Sequence, residues 1–156
     1  MTDLTILDKS YGFILRHFME TGYAPHYTDL AAELAVSPEE GRQALHDLIA
    51  LELPATWLHP GTDYIASFPP FSNFATQYRI TVDGEHKWFG QCAFESLAVC
   101  WLFPGKIVRI DCPCLDCAEQ IFVEVRDGEL LDFEPTGIIG IANAGFSGPF
   151  EEWAFR

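Results

Sequence analysis

The sequence predicts an α+β fold, in which a winged-helix-like N-terminal helical part precedes a small mixed β-sheet domain with a cysteine-bearing helix. Three observations carry this expectation. Apolar residues recur at helical spacing in three successive stretches between residues 9 and 53. Two Asp-Gly pairs, at 83–84 and 127–128, interrupt runs rich in β-branched and aromatic residues, as two-residue hairpin turns do. Between those hairpins lies one strongly apolar stretch, "CAFESLAVCWLF" at 92–103, too long for a buried strand. The seam "PPFSNF" at 69–74 divides the chain into a winged-helix-like domain, residues 1–70, and an α+β domain, residues 71–156.

In the first helix Tyr11, Ile14, Leu15 and Phe18 share a face, and Gly22 is the stop signal. Thr28 is the expected cap of the second helix, before "DLAAELAV". The third opens at "SPEE", where Ser37 caps, Pro38 takes the first helical position and Glu40 closes a capping box. Its Ala44, Leu45, Leu48 and Ile49 form one apolar stripe. "ATWLH" and "YIASF", separated by "PGTD", then supply a two-stranded wing. After the seam come a hairpin from "TQYRITV" and "EHKWFG", a helix over 92–103 stopped by Pro104-Gly105, and strands "KIVRID", "QIFVEV" and "LLDFEP". The tail "GIIGIANAGFSGPFEEWAFR" is rich in small residues.

A helix-turn-helix with a wing is a DNA-binding shape, but the charge opposes that use. The chain carries 23 acidic against 9 basic side chains, a net charge of −14, so a phosphate backbone is repelled. The would-be recognition helix carries Glu39, Glu40, Asp47 and Glu52 against Arg42 alone. We therefore expect no nucleic-acid partner. No apolar run is long enough to span a bilayer, and "MTDLTILDKSYG" lacks the order of a signal peptide, so the expectation is a cytoplasmic protein without a membrane partner. An odd number of cysteines, five, suits thiols or metal ligands better than a disulfide framework.

The chemistry-bearing residues are those cysteines and one acid. Cys92 falls at the start of a helix, where free N–H groups favour a thiolate, and Glu95, three residues on, shares its face. Together they could grip a soft metal and deliver a proton; the plainer alternative is a small buried cysteine beside a helix-start acid. Cys100, within "LAVCWLF", reads as a buried inert thiol. In "DCPCLDC", residues 111–117, Cys112, Cys114 and Cys117 make a C-x-C-x2-C pattern for a thiophilic metal, with Cys92 or a histidine as a fourth donor. Strand-end thiols around Pro113 are the alternative. No phosphate loop, nucleophile elbow or H-E-x-x-H is present.

The order of these pieces resembles the organomercurial (alkylmercury) lyase family. That family shows W-C-A-x-D-T at the helix start, a G-[KR]-x-x-R-[VI] strand leading to a cysteine, and a later E-[DE]-W-A segment; here these read "QCAFES", "GKIVRIDCPC" and "GPFEEWA". The resemblance implies that Cys92 attacks mercury, that Glu95 stands in for the aspartate that protonates the departing carbon, and that Cys114 takes a structural position. It also implies a second catalytic cysteine upstream of E-[DE]-W-A, where this chain has "GIIGIANAGFS" and no cysteine. Cys112 or Cys117 would have to replace it. The expected function is therefore protonolysis of a carbon–mercury bond in a small organometallic substrate, with no cofactor required. The alternatives are a non-catalytic thiolate protein binding Hg, Cu or Zn through Cys92, Cys112, Cys114 and Cys117, and an enzyme repurposed on the same scaffold.

Overall fold

The computed structural model describes residues 3–140, which form two compact units meeting in sequence between Phe68 and Pro69. The last part of the tail, with "EEWA" and most of the cysteine-free stretch before it, lies outside the described residues. No helix among the described residues is long and apolar enough to cross a membrane.

The first unit begins with α1 (Leu4–Thr21), capped by the Asp3 carboxylate, which accepts the Thr5 N–H at 2.7 Å, and closed by left-handed Gly22. Its buried stripe is Leu7, Ser10, Ile14 and Phe18; the Ser10 hydroxyl is satisfied by donating to the Ile6 carbonyl at 2.7 Å. Helix α2 (Tyr27–Leu34) starts two residues earlier than the sequence suggests. His26, not Thr28, is the cap: its Nδ1 accepts from the Thr28 N–H while the Asp29 carboxylate accepts the His26 N–H at 2.9 Å. The box is the usual reciprocal one with an imidazole in place of a hydroxyl, a substitution that cap preferences do not anticipate. Helix α3 (Pro38–Ile49) has the predicted Ser37/Glu40 box and buries Gly41, Ala44, Leu45 and Leu48.

Helices α2 and α3 cross closely because Gly41 presents no side chain: a Cβ there would lie 2.5 Å from that of Ala31. Strands β1 (Trp57–Leu58) and β2 (Ile65–Phe68) then pair antiparallel. Arg42, the single basic residue of α3 apart from His46, holds Asp63 at 2.7 Å, and His46 Nε2 meets the other oxygen of the same carboxylate at 2.6 Å.

The second unit is built on one sheet of strands β3 (Phe71–Ser72), β4 (Arg79–Val82), β5 (Glu85–Gly90), β6 (Val108–Pro113), β7 (Gln120–Arg126) and β8 (Glu129–Glu134), in the order β3-β5-β4-β6-β7-β8. The expected mixed sheet is corrected here, because every ladder described in this unit is antiparallel. Asp83-Gly84 and Asp127-Gly128 turn the chain directly back on itself, both with positive φ. The single helical crossover, from β5 to β6, passes over β4, so the two strands that run parallel never become neighbours.

The crossover carries α4 (Ala93–Ala98) and a one-turn 3-10 helix (Val99–Trp101), a shorter helix than the sequence suggests. Its last turn tightens, Leu102 N–H bonding to the Val99 carbonyl at 2.9 Å, and Lys106 and Ile107 belong to the following turn rather than to β6. Alternation along the strands turns Ile80, Val82, Trp88, Val108, Ile110 and Val125 to a buried face, which packs with Val99 and Cys100 of the crossover. Trp88 meets Phe103 edge-on at 5.1 Å. The opposite face is polar: Arg109 binds Asp111 at 2.8 Å and Glu124 at 3.1 Å and lies over the Phe122 ring. Pro113 ends β6 beyond the last residue paired with β4, Asp111, so its missing N–H leaves no gap in that ladder.

Candidate functional site

Helix α4 is fastened to the end of β5 by contacts that only small residues allow. At Gly90 a Cβ would lie 1.8 Å from the Ser96 hydroxyl oxygen, so the strand end sits directly against the first helical turn. The pivot is held on several sides. The Gly90 N–H donates to the Tyr78 carbonyl at 2.9 Å, Thr76 Oγ1 donates to the Gly90 carbonyl at 2.7 Å, and the Gln91 N–H donates to the Pro70 carbonyl at 3.2 Å. Cys92 follows in extended backbone as the helix cap; its sulfur accepts the Glu95 N–H at 3.5 Å. Its carbonyl accepts both the Ser96 N–H, at 3.0 Å, and the Ser96 hydroxyl, at 2.7 Å. Ser96 is fully buried. Sequence reasoning passed over this serine, although a serine four residues after a cap is a residue able to bond back to that carbonyl.

Burial sets the electrostatics of the pair. The Glu95 carboxyl is pushed above its usual range by desolvation, against a smaller lowering by its hydrogen bond with Cys92. Its Oε2 is buried and has no hydrogen-bond partner among the described residues. An ionised carboxylate there would forfeit hydration that the bond with Cys92 only partly offsets, so burial shifts the group toward its protonated form. Cys92 is half-buried, and desolvation raises its thiol too, outweighing the N–H bonds from Glu95 and Phe94 that favour the thiolate. The expectation of a thiolate stabilised at the helix start is thereby corrected: six residues of helix supply a small field, and loss of solvent is the larger effect.

The other cysteines separate by environment. Cys100 is buried at 2% exposure among apolar neighbours. Cys112 is half-buried on β6, on the same side of the strand as Val108 and Ile110, the side that faces α4. Its thiol is raised by burial and then by the Asp111 and Cys114 charges. Cys114 and Cys117 bound a turn outside the sheet. The Cys114 N–H bonds to the Glu119 carbonyl at 2.7 Å and the Ala118 N–H to the Cys114 carbonyl at 3.0 Å, while Ala118 takes a left-handed conformation. Within that turn the backbone N–H groups of Cys117 and Asp116, then the Cys117 side chain, hydrogen-bond the Cys114 sulfur and lower its pKa.

Among the described residues no three His, Cys, Asp or Glu side chains converge into a group that could hold a metal ion. The four sulfurs suggested as ligands, Cys92, Cys112, Cys114 and Cys117, thus do not stand as one preformed cluster. Cys114 and Cys117 come together as a pair, and Cys92 pairs with Glu95.

Comparison with known proteins bears on this geometry. Residues 71–144 match the family model of MerB, alkylmercury lyase. The fold is similar to a solved structure described as the mercury-bound form of MerB2, with a TM-score of 0.59 and 20% identity, covering 85% of this chain and 68% of that one. A search of curated protein sequences found no match. At that identity the structural likeness speaks to fold, and the family match speaks to the stretch that holds Cys92, Glu95 and the sulfurs at 112, 114 and 117. Residues 71–144 are therefore similar in sequence to the alkylmercury lyase family, and the described fold is similar to that of the mercury-bound MerB2 structure.

Proposed function

We propose that the second unit cleaves a carbon–mercury bond by protonolysis, with Cys92 as the attacking sulfur and Glu95 as the acid. The observation that carries this reading is the Glu95 carboxyl beside the Cys92 sulfur, with its buried Oε2 lacking a hydrogen-bond partner. In R–Hg–X, sulfur donation to mercury weakens the bond to carbon, and an acid whose proton burial holds more firmly supplies the proton that carbon takes as it departs. The step needs a second sulfur to hold the metal. Cys112 is the candidate, because strand alternation turns it to the α4 side whereas Cys117 stands in the exposed turn. The balance is R–Hg–X plus two thiols giving R–H, HX and a dithiolate-bound Hg(II).

The test is direct. Purified protein incubated with a methylmercury salt releases methane, Cys92→Ser releases none, and Glu95→Gln is slower by roughly 10²-fold or more, the usual contribution of a positioned general acid. Methane from wild type no faster than from Cys92→Ser overturns the proposal. Cys112→Ser should fall well below wild type while Cys117→Ser does not; equal activity of both serine variants removes Cys112 from the mechanism.

The three helices and antiparallel ladder of the first unit support a winged-helix-like arrangement without a DNA role, since Arg42 is engaged by Asp63 and the rest of α3 is acidic or neutral apart from His46.

A further inference from the structure

Phe94 stands in the first turn of α4 and has no task in the reaction above. Cys92 caps that helix with its sulfur held over the first turn, where it accepts the Glu95 N–H at 3.5 Å. Side chains on a helix lean toward its N-terminus, and consecutive residues diverge by about 100° around the axis. Phe94 and Glu95 therefore both slope back toward the capping sulfur, the ring on one side of it and the acid on another. The Phe94 ring is 51% exposed, yet its tip is held. A Cβ built on Gly140 would lie 3.3 Å from Phe94 Cζ and 3.6 Å from Cε1, so the end of the ring rests against the Gly140 backbone. The chain reaches that point from Glu134, which ends β8 opposite Phe122, through the strap 135–140. The strap is turned by a bond from the Ile138 N–H to the Pro135 carbonyl at 3.3 Å. A ring held at its tip and open on its flank is a pre-organised apolar wall, which a ligand can cover at little cost in side-chain entropy.

We propose that Phe94 is a specificity-determining residue of this site, its ring receiving the organic group of an arylmercury substrate whose mercury is bonded to the Cys92 sulfur, so that aryl compounds are preferred over methyl ones. The assignment rests on the carbon–mercury reading of Cys92 and Glu95. A flat ring laid against Phe94 gains from the apolar area it buries and from the stacked or edge-on geometry of the aromatic pair, whereas a methyl group offers little surface to either effect.

The test has a binding arm and a turnover arm, both with phenylmercuric acetate and methylmercuric chloride as probes. In the binding arm the full chain carries Cys112→Ser, Cys114→Ser and Cys117→Ser, which leaves Cys92 accessible and Cys100 buried at 2% exposure, together with Glu95→Gln so that adducts persist. R–Hg–X and the Cys92 thiol give a sulfur–mercury–carbon adduct and HX. Native mass spectrometry reads each adduct against an excess of one small monothiol, whose own exchange with both compounds is measured separately, so that intrinsic differences between the probes cancel. The phenyl adduct should be favoured over the methyl adduct by about tenfold. Phe94→Ala should reduce that preference to within about twofold of unity, and Phe94→Tyr should keep it. In the turnover arm, with the cysteines and Glu95 intact, the ratio of kcat/KM for benzene release to that for methane release should fall about tenfold in Phe94→Ala and be retained in Phe94→Tyr. No phenyl preference in the parent protein, a preference that survives Phe94→Ala, or an unchanged ratio in turnover would each overturn the proposal. A Phe94-dependent adduct preference with neither hydrocarbon released above a Cys92→Ser control would sink the lyase reading and leave the role of the ring standing. Release of both hydrocarbons without any adduct preference would do the reverse.

Discussion

Glu95 joins two properties that rarely coincide: it is the first acidic residue of α4, and it is buried deeply enough that one carboxyl oxygen has no partner. A carboxyl whose folded pKa is raised binds its proton more firmly than in the unfolded chain, so the folded state holds more protons as pH rises above the ordinary carboxylate range. Stability is then full below that range and declines as pH climbs toward the raised value. Glu95→Gln should abolish this decline, so the denaturation midpoint of the variant relative to wild type should rise between acidic and neutral pH; parallel urea titrations check it. Cysteine reactivity should follow the same logic of environment. At neutral pH Cys114 should be alkylated before Cys92 and Cys112, whose thiols burial raises, and peptide mapping over time reads the order. The pairing of Cys92 with Glu95 was legible in the sequence because a spacing of three within a helix is a local fact. Their burial was not, because it depends on which face of a distant strand the helix covers.

Among the elements, α4 shows how a short helix is held in place by subtraction. Gly90→Ala should force the Ser96 hydroxyl aside and destabilise the protein by about 1–3 kcal/mol, as overpacking does. It should lower methane release as well, since the Cys92 cap follows Gly90 by two residues. Ser96→Ala opens space and loses one hydrogen bond to the Cys92 carbonyl, a change of about 1 kcal/mol, while the Ser96 N–H continues to hold that carbonyl. Denaturation midpoints of the two variants should therefore differ in the stated order. The hairpins were readable because Asp-Gly demands positive φ at both positions, which few other pairs tolerate. The α2 cap was misread because His26 does with an imidazole nitrogen what a hydroxyl oxygen ordinarily does. The close approaches at Gly41 and Gly90 leave no local pattern at all, since a glycine's neighbour across space is not its neighbour in sequence.

At the level of the whole molecule, charge is the property that sequence determines outright. With a net charge of −14 the folded state repels itself, so the melting temperature should rise by a few degrees when salt is raised from about 10 mM to about 150 mM, where screening acts over roughly 8 Å. A gel shift with duplex DNA at low salt should show no retained complex. The antiparallel character of the sheet was not legible, because a helical crossover between two strands ordinarily signals parallel neighbours, and only the docking of β4 between them cancels the signal.

That placement of β4 also fixes an order of assembly. The β4–β5, β6–β7 and β7–β8 ladders join residues close in sequence, whereas the β4–β6 ladder, pairing Arg79 with Asp111 and Val82 with Val108, must close a loop containing all of β5 and α4. Loop closure of that kind is the slow part of sheet formation. Until it happens, Cys92 and Glu95 have no sheet face to be buried against. Hydrogen exchange pulsed during refolding should accordingly protect the hairpin amides before those of α4, making the burial of Cys92 and Glu95 one of the last things this chain acquires as it folds.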